Sequence, residues 1–444
     1  MSPARLTFLL AALAAAGRLA AEADAPAPVP VVSTDGFGWT AHEQATEVMQ
    51  GHFGFPAGYT GPESLTPESE VDRTFSYSLF CGLRLLPGTE VYFDPEVFQG
   101  HGLSNTLGVA GFPNGEAVKA AYPNLHYNTS RLFLRETFGL GGEKEKVEDD
   151  VNQVAGSPDV DRITVTVGKF AASDFFDGSA YSHDDRVQFM NWALWESAAW
   201  DYPADVVGYT AGAVIEWNTA NYTLHYGIFM EPTVSNGKDL DPHLRDAHGQ
   251  TLELDRRYTW HGHGGTIRPF VYWNQARMGS YVLADESPGL PDITQSRAYR
   301  SKVGLGVSWD QEITDDLGVF VRYSWDDGRT ESFTFTEVDR SLAAGLALKG
   351  ARWHRKDDVL GLAVVENGIA PDHQAYLAAG GVGGLILGDG GLNYGPEEIL
   401  ETYYSFQVTK WLALSPDYQY VEHPGYNRDR GGVAIYSLRA HVAF

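Results

Sequence analysis

The chain has 444 residues, a formal net charge of −26, 49 glycines, 13% aromatic residues and one cysteine, Cys81. Such an acid excess excludes a protein that binds nucleic acid by neutralising phosphates, and a lone cysteine excludes an intramolecular disulfide framework. No apolar run reaches the roughly 18–20 residues of a membrane-spanning helix.

At the N-terminus, Arg5 precedes an apolar run from Leu6 to Ala16, and Ala21-Glu22-Ala23 fits a small-x-small cleavage site. Residues 1–23 therefore read as a secretory signal peptide. Residues 24–38, rich in proline and alanine, read as a flexible tail. Residues 39–444 read as one β-barrel domain.

From there the chain alternates between apolar and polar residues. Phe75, Tyr77, Leu79, Cys81, Leu83 and Leu85 share one face, opposite Ser76, Ser78, Gly82 and Arg84. Leu132, Leu134 and Phe138 oppose Arg131, Arg135 and Thr137. Ile163, Val165 and Val167 oppose Arg162, Thr164 and Thr166. The last segment sets Tyr436, Leu438, Ala440, Val442 and Phe444 against Ser437, Arg439 and His441. Period-two alternation marks strands with one apolar face.

Sixteen such segments are expected, near 39–52, 73–86, 89–98, 129–140, 160–170, 207–217, 221–230, 252–262, 265–276, 298–309, 317–326, 339–350, 357–366, 397–408, 411–421 and 432–444. Links after even-numbered segments are mostly short, and those after odd-numbered ones mostly long. Short turns on one rim and long loops on the other are the pattern of outer-membrane barrels. The acidic stretch 141–160, "GGEKEKVEDDVNQVAGSPDV", breaks it, being long where a turn is expected. Trp217, Trp309, Trp325, Trp411 and Phe444 stand at segment ends, where aromatic girdles form. The predicted fold is all-β: a sixteen-stranded antiparallel transmembrane β-barrel whose third long loop folds inward. An even strand count puts both chain ends on the periplasmic side.

That third loop, from Ala171 to Val206, contains "SHDDRVQFMNWALWESAAWDYPAD". Its centre predicts about three helical turns. Trp192, Trp195 and Trp200 are candidates for a platform under a sugar ring. Asp174, Asp177, Asp184, Asp185 and Glu196 are candidate acceptors for its hydroxyl hydrogens, and Arg186 is a further candidate pore-lining residue. Lumen-facing candidates on the strands are Arg84, Glu90, Arg131, Arg135, Arg162, Arg268, Arg322 and Glu401. A guanidinium offers a planar fork of donors suited to vicinal hydroxyls. The competing reading is that the rings pack the loop on the wall and the charges satisfy one another.

Several stretches resemble the carbohydrate-selective porin family, OprB-like: "VTVGKF" (165–170), "NWALWESAAWDYPAD" (191–205) and "LSPDYQYVEHPGYNRDRGG" (414–432), with "FPNGEA", "RLFLRETFGLGGE" and "SHDDRVQF". The likeness runs from about Arg73 to Phe444. It implies a sixteen-stranded outer-membrane porin of a Gram-negative-type bacterium that passes monosaccharides by diffusion, with arginines and acids meeting at a constriction. Onto this chain that role carries best to Arg131 and Arg135. The acidic stretch 141–160 is a departure, and the acid excess favours cations or neutral solutes over anions. A general or cation-preferring porin, and a sugar-binding barrel that does not conduct, stay open beside it.

No catalytic residue, metal or cofactor is expected. Asp184, Asp185 and Glu196 offer the two carboxylates of a glycoside hydrolase, but nothing marks one as a protonated acid. "HGHGG" (261–265) reads as a turn sooner than a zinc site, and "KDLDPHLRD" (238–246) as a solvated acidic loop. Expected partners are sugars in transit, outer-membrane lipid, and the assembly machinery that would read the strand ending in Phe444.

Overall fold

The computed structural model describes residues 36–117, 122–286, 288–334, 337–381, 387–388 and 390–444. The expected signal peptide and most of the expected tail lie outside the described residues.

Within them the chain forms sixteen strands. They are β1 Gly38–His52, β2 Glu70–Leu86, β3 Thr89–Gly100, β4 Tyr122–Gly139, β5 Arg162–Phe170, β6 Thr210–Asn218, β7 Tyr222–Phe229 and β8 His248–Trp260. They continue as β9 His263–Met278, β10 Ala298–Thr314, β11 Leu317–Asp326, β12 Arg340–Gly350, β13 Arg355–Gly368, β14 Glu397–Thr409, β15 Leu412–Glu422 and β16 Val433–Ala443. Each pairs with its sequence neighbours, and β16 returns to β1 with Gln44 opposite Ala443, so the antiparallel barrel closes. Closure leaves no strand edge unpaired, which a hydrocarbon surround requires.

The alternation sets the faces. Leu132, Val167 and Leu438 are 51%, 49% and 46% exposed, whereas Ser78, Thr166, Glu401 and Arg439 are at most 1% exposed. Apolar side chains therefore turn outward and polar ones inward, the reverse of a water-soluble sheet and the arrangement of a barrel in lipid. Cys81 lies on the outward face, as its phase in β2 predicts.

Strand β4 begins at Tyr122 rather than near 129. Asp94 faces Arg131 while Pro95 faces Thr129, so Ser130 is an extra residue in the ladder. Such a bulge shifts the in–out phase by one residue. Tyr127 and Leu132 can thus both point outward although their spacing is odd. "HGHGG" forms the β8–β9 turn, with His261 and Gly262 both at positive φ (50° and 88°), as a two-residue hairpin of primed type requires.

Links between even and odd strands are short except 140–161, and links between odd and even strands are long. The exception folds back on itself through bridges between Lys144 and Asp159, Val147 and Gly156, and Asp150 and Gln153.

Candidate functional site

The β5–β6 loop leaves the wall after Phe170 and rejoins it at Thr210. Inward-facing groups of many strands receive it. Ser308 Oγ donates to Gly178 O at 3.0 Å, and Asp310 accepts from Ala180 N at 3.3 Å. Glu401 accepts the backbone N–H groups of Met190 and Asn191 at 2.6 and 2.9 Å. Arg439 donates to the carbonyls of Asp185 and Gln188 at 2.6 and 2.7 Å. Arg322 donates to Leu194 O at 2.6 Å and to Asp177 O at 3.0 Å. Lys302 pairs with Asp201 at 2.9 Å, and that carboxylate also accepts from Phe333 N and Thr334 N, both at 2.8 Å. The loop thus touches β10, β11, β14 and β16 from inside the barrel.

These anchors correct the helix expectation. Within the predicted centre only Trp192–Trp195 is helical, a single α-helical turn capped by the Asn191 side chain on Ala193 N. Buried N–H groups must be paired. Here the one carboxylate of Glu401 on the wall pairs the turn's upstream N–H groups, and Asp177 of the loop itself accepts from Ser197 N at its end. These side chains do what further helical bonds would have done.

The three tryptophans divide. Trp200 is wholly buried against Phe176, Tyr202 and Phe270, so it offers no ring face to a solute. Its expected platform role gives way to packing. Trp192 is 3% exposed, and one face is covered by Phe112 at 5.1 Å. Trp195 is partly exposed and meets Trp192 edge-on at 4.8 Å. Trp192 and Trp195 both border a cavity of about 710 Å³; Trp200 does not.

The same cavity is bordered by Arg131, Arg135, Asp184, Asp185, Arg186 and Glu196. Arg131 holds Asp174 through two hydrogen bonds of 2.7 and 2.6 Å and stands 3.7 Å from Asp94. Arg135 donates to Asn152 O at 2.9 Å and lies over the Tyr92 ring at 4.9 Å. Arg186 bridges Glu96 and Glu116 at 2.8 and 2.5 Å. Burial, then the nearby Glu116 charge, pushes the Asp185 carboxyl well above the usual carboxylate range. Burial, then the Asp177 charge, does the same to Glu196.

Other expected site residues serve elsewhere. Arg84 is 5% exposed and fully engaged by Glu90 and the carbonyls of Val154 and Ala155. Arg322 and Glu401 are buried beneath the loop they hold. For Arg322 and Glu401, contact with a solute gives way to anchoring. Arg84, Arg162 and Glu90 border a second cavity of about 600 Å³ toward the short-turn rim. Arg268 pairs with Asp310 at 2.6 Å and stands 3.6 Å from Asp255.

Two groupings could offer metal ligands among the described residues: His225 with Glu253 and Asp255, and His263 with Glu312 and Asp315. In the first, His225 already faces Glu216 and Asp255 at 3.4 and 3.5 Å, and Arg268 shares Asp255.

Sequence reasoning missed Tyr209, whose hydroxyl donates to Glu96 at 2.8 Å beside the cavity. It also missed the pairing of Lys302 with Asp201. Neither has a signal in local alternation, since each joins residues remote in the chain.

The sequence model described as "Carbohydrate-selective porin, OprB family" matches residues 62–444. Porin AaxA of Chlamydia caviae is 21% identical over 368 residues, covering 80% of this chain and 70% of that protein. Its counterpart in Chlamydia trachomatis serovar D is 22% identical, and the chain spans about half of its length, 52%. The high-pH structure of Pseudomonas putida OprB superposes with a TM-score of 0.69 at 17% identity, covering 92% of this chain and 94% of that one.

Proposed function

We propose, from the premise that the chain belongs to the carbohydrate-selective porin, OprB family, that it is an outer-membrane channel through which monosaccharides diffuse passively. The observation that carries this reading is the cavity between the β5–β6 loop and the β2–β4 wall. Its 710 Å³ falls within the roughly 300–1,000 Å³ of small-molecule sites. Arg131 and Arg135 supply donors there, Asp184 and Asp185 acceptors, and Trp195 an aromatic surface. Donors, acceptors and a ring face are what a hydroxylated ring needs.

The reading places the protein in the outer membrane of a Gram-negative bacterium, with its apolar outer face in lipid. Single-channel conductance of the refolded protein in a planar bilayer, with a series of monosaccharides added, is the test. Discrete steps that a sugar blocks in proportion to its concentration are expected. No steps from a well-folded barrel would overturn the reading.

A second reading has its own support. With Asp185 and Glu196 left out as protonated, Glu96, Glu116, Asp150, Asp174 and Asp184 still border the same cavity. Their excess over Arg131, Arg135 and Arg186 favours a cation-preferring pore without a saccharide site. Steps that no sugar affects, with a reversal potential on the cation side, would select it.

A further inference from the structure

The acidic β4–β5 connection does not hang free below the barrel. Its tip reaches the inward-facing groups of four strands. Thr40 Oγ1 of β1 donates to Asp150 O at 3.5 Å. Arg84 of β2 donates to the carbonyls of Val154 and Ala155 at 3.0 and 2.9 Å. The Tyr92 hydroxyl of β3 accepts from Val154 N at 3.3 Å, and Arg135 of β4 donates to Asn152 O at 2.9 Å. Asn152 Nδ2 donates to Asp94 Oδ2 at 2.8 Å. Asp94 lies five residues beyond the start of β3 at Thr89, which at about 3.3 Å per residue is some 16 Å into the wall. Val154 is 5% exposed.

The tip therefore sits inside the barrel, opposite the β5–β6 loop. The two cavities meet there. The upper one, between the β5–β6 loop and the β2–β4 wall, is bordered by residues as far toward the long-loop rim as Phe98 and Ala117. The lower one reaches the short-turn rim at Gly88 and Asn218. Four residues border both: Arg135, Gln153, Asp174 and Phe175. A residue that borders both cavities stands between them.

We infer that Gln153, carried into the lumen by the β4–β5 hairpin, closes a neck with Arg135, Asp174 and Phe175, and that this neck selects small neutral polyhydroxylated solutes. The inference rests on the porin reading and names the residues that discriminate within it. The neck holds a guanidinium, a carboxamide, a carboxylate and an aromatic ring. A neutral solute can exchange hydrogen bonds with the first three and rest an apolar face on the fourth. The charges at the neck are paired within the chain, Asp174 with Arg131 at 2.6 Å and Arg135 with Glu90 at 4.0 Å, so an ion of either sign finds no free counter-charge there.

The test is a Gln153→Cys channel in a Cys81→Ala background, the native thiol being on the outward face. Single channels are recorded before and after 2-sulfonatoethyl methanethiosulfonate is added, and mass spectrometry checks the modification. Conductance of the Gln153→Cys channel should fall by about two-fold or more, while Cys81→Ala alone stays unchanged. A modified channel with unaltered conductance and unaltered sugar block would overturn the neck assignment and leave the porin reading standing. A Cys81→Ala barrel that folds but gives no steps would overturn both. Replacing residues 144–158 by a short Gly-Ser turn supplies a second measurement. It should raise conductance and weaken sugar block, and a shortened channel that conducts and is blocked like the parent would sink the inference.

Discussion

Arg131 on β4 and Asp174 in the β5–β6 loop form a two-pronged ion pair, Nε to Oδ2 at 2.7 Å and Nη2 to Oδ1 at 2.6 Å. It ties the loop to the wall at the edge of the cavity, with Asp94 3.7 Å from the same guanidinium. Removing either partner changes the local charge in opposite directions. Arg131→Ala leaves Asp94 and Asp174 facing each other, so the cation-to-anion permeability ratio should rise about two-fold. Asp174→Ala should lower it by a similar factor. Reversal potentials in a salt gradient measure both. Shifts of the same sign, or none, would show that the pair does not face the ion path.

Lys302 and Asp201 fasten the far side of the same loop, and both side chains are at most 1% exposed. Lys302→Ala would strand a buried carboxylate, a loss of about 3–5 kcal/mol. The double variant Lys302→Met with Asp201→Asn removes both charges, and most of that loss should return. Urea unfolding in detergent micelles measures it. Equal instability of the single and double variants would contradict the account.

Much of this fold is legible in the sequence because alternation is a local property. Strand β10 is expected near 298–309 and runs to Thr314, and β13 is expected near 357–366 and spans Arg355–Gly368. The start of β4 is hidden by Ser130, whose extra position breaks the period that reveals the strand. The site was less legible. Facing inward is a matter of phase, and Arg84, Arg322 and Glu401 do face inward. Whether an inward group meets solute or holds a loop depends on partners 70 to 211 residues away, such as Val154 for Arg84 and Met190 for Glu401. Trp200 reads the same as Trp195 in the sequence. Only the arrival of Phe176 and Phe270 buries it.

Glu196 sits 1% exposed at the end of the helical turn, and burial followed by the charge of Asp177 raises its pKa. The folded chain therefore keeps this proton at pH values where the unfolded chain, with a glutamate near the usual 4.3, has released it. A carboxyl with a raised folded pKa costs stability as pH climbs from the unfolded value toward the folded one. Glu196→Gln removes that decline. The variant and the parent should match in acid, and the variant should be the more stable above neutrality. Urea midpoints across a pH series compare them, and parallel profiles would show that Glu196 titrates alike in the folded and unfolded chain.

Phe444 closes the seam between the two ends of the chain. Its ring stacks on Trp411 at 5.8 Å, and its backbone exchanges two hydrogen bonds with Glu43, N to O at 2.9 Å and O from N at 3.2 Å. Deleting it removes the last rung between β16 and β1 and leaves Glu43 N and O without those partners at the rim. In lipid an unpaired backbone group costs several kcal/mol in the hydrocarbon layer and less at the water interface, so the loss falls on closure more than on the closed barrel. Phe444 itself borders neither of the two cavities of the proposed pore, although Gln44, next to Glu43, borders the first. Deletion should therefore reduce the yield of folded barrel in the membrane several-fold while channels that do form keep the parent's conductance. Heat-modifiable mobility on gels gives the yield, and bilayer recording gives the conductance. Full yield would mean that Glu43 and Trp411 hold the seam without Phe444, and a changed conductance would mean that closure at this rung shapes the pore.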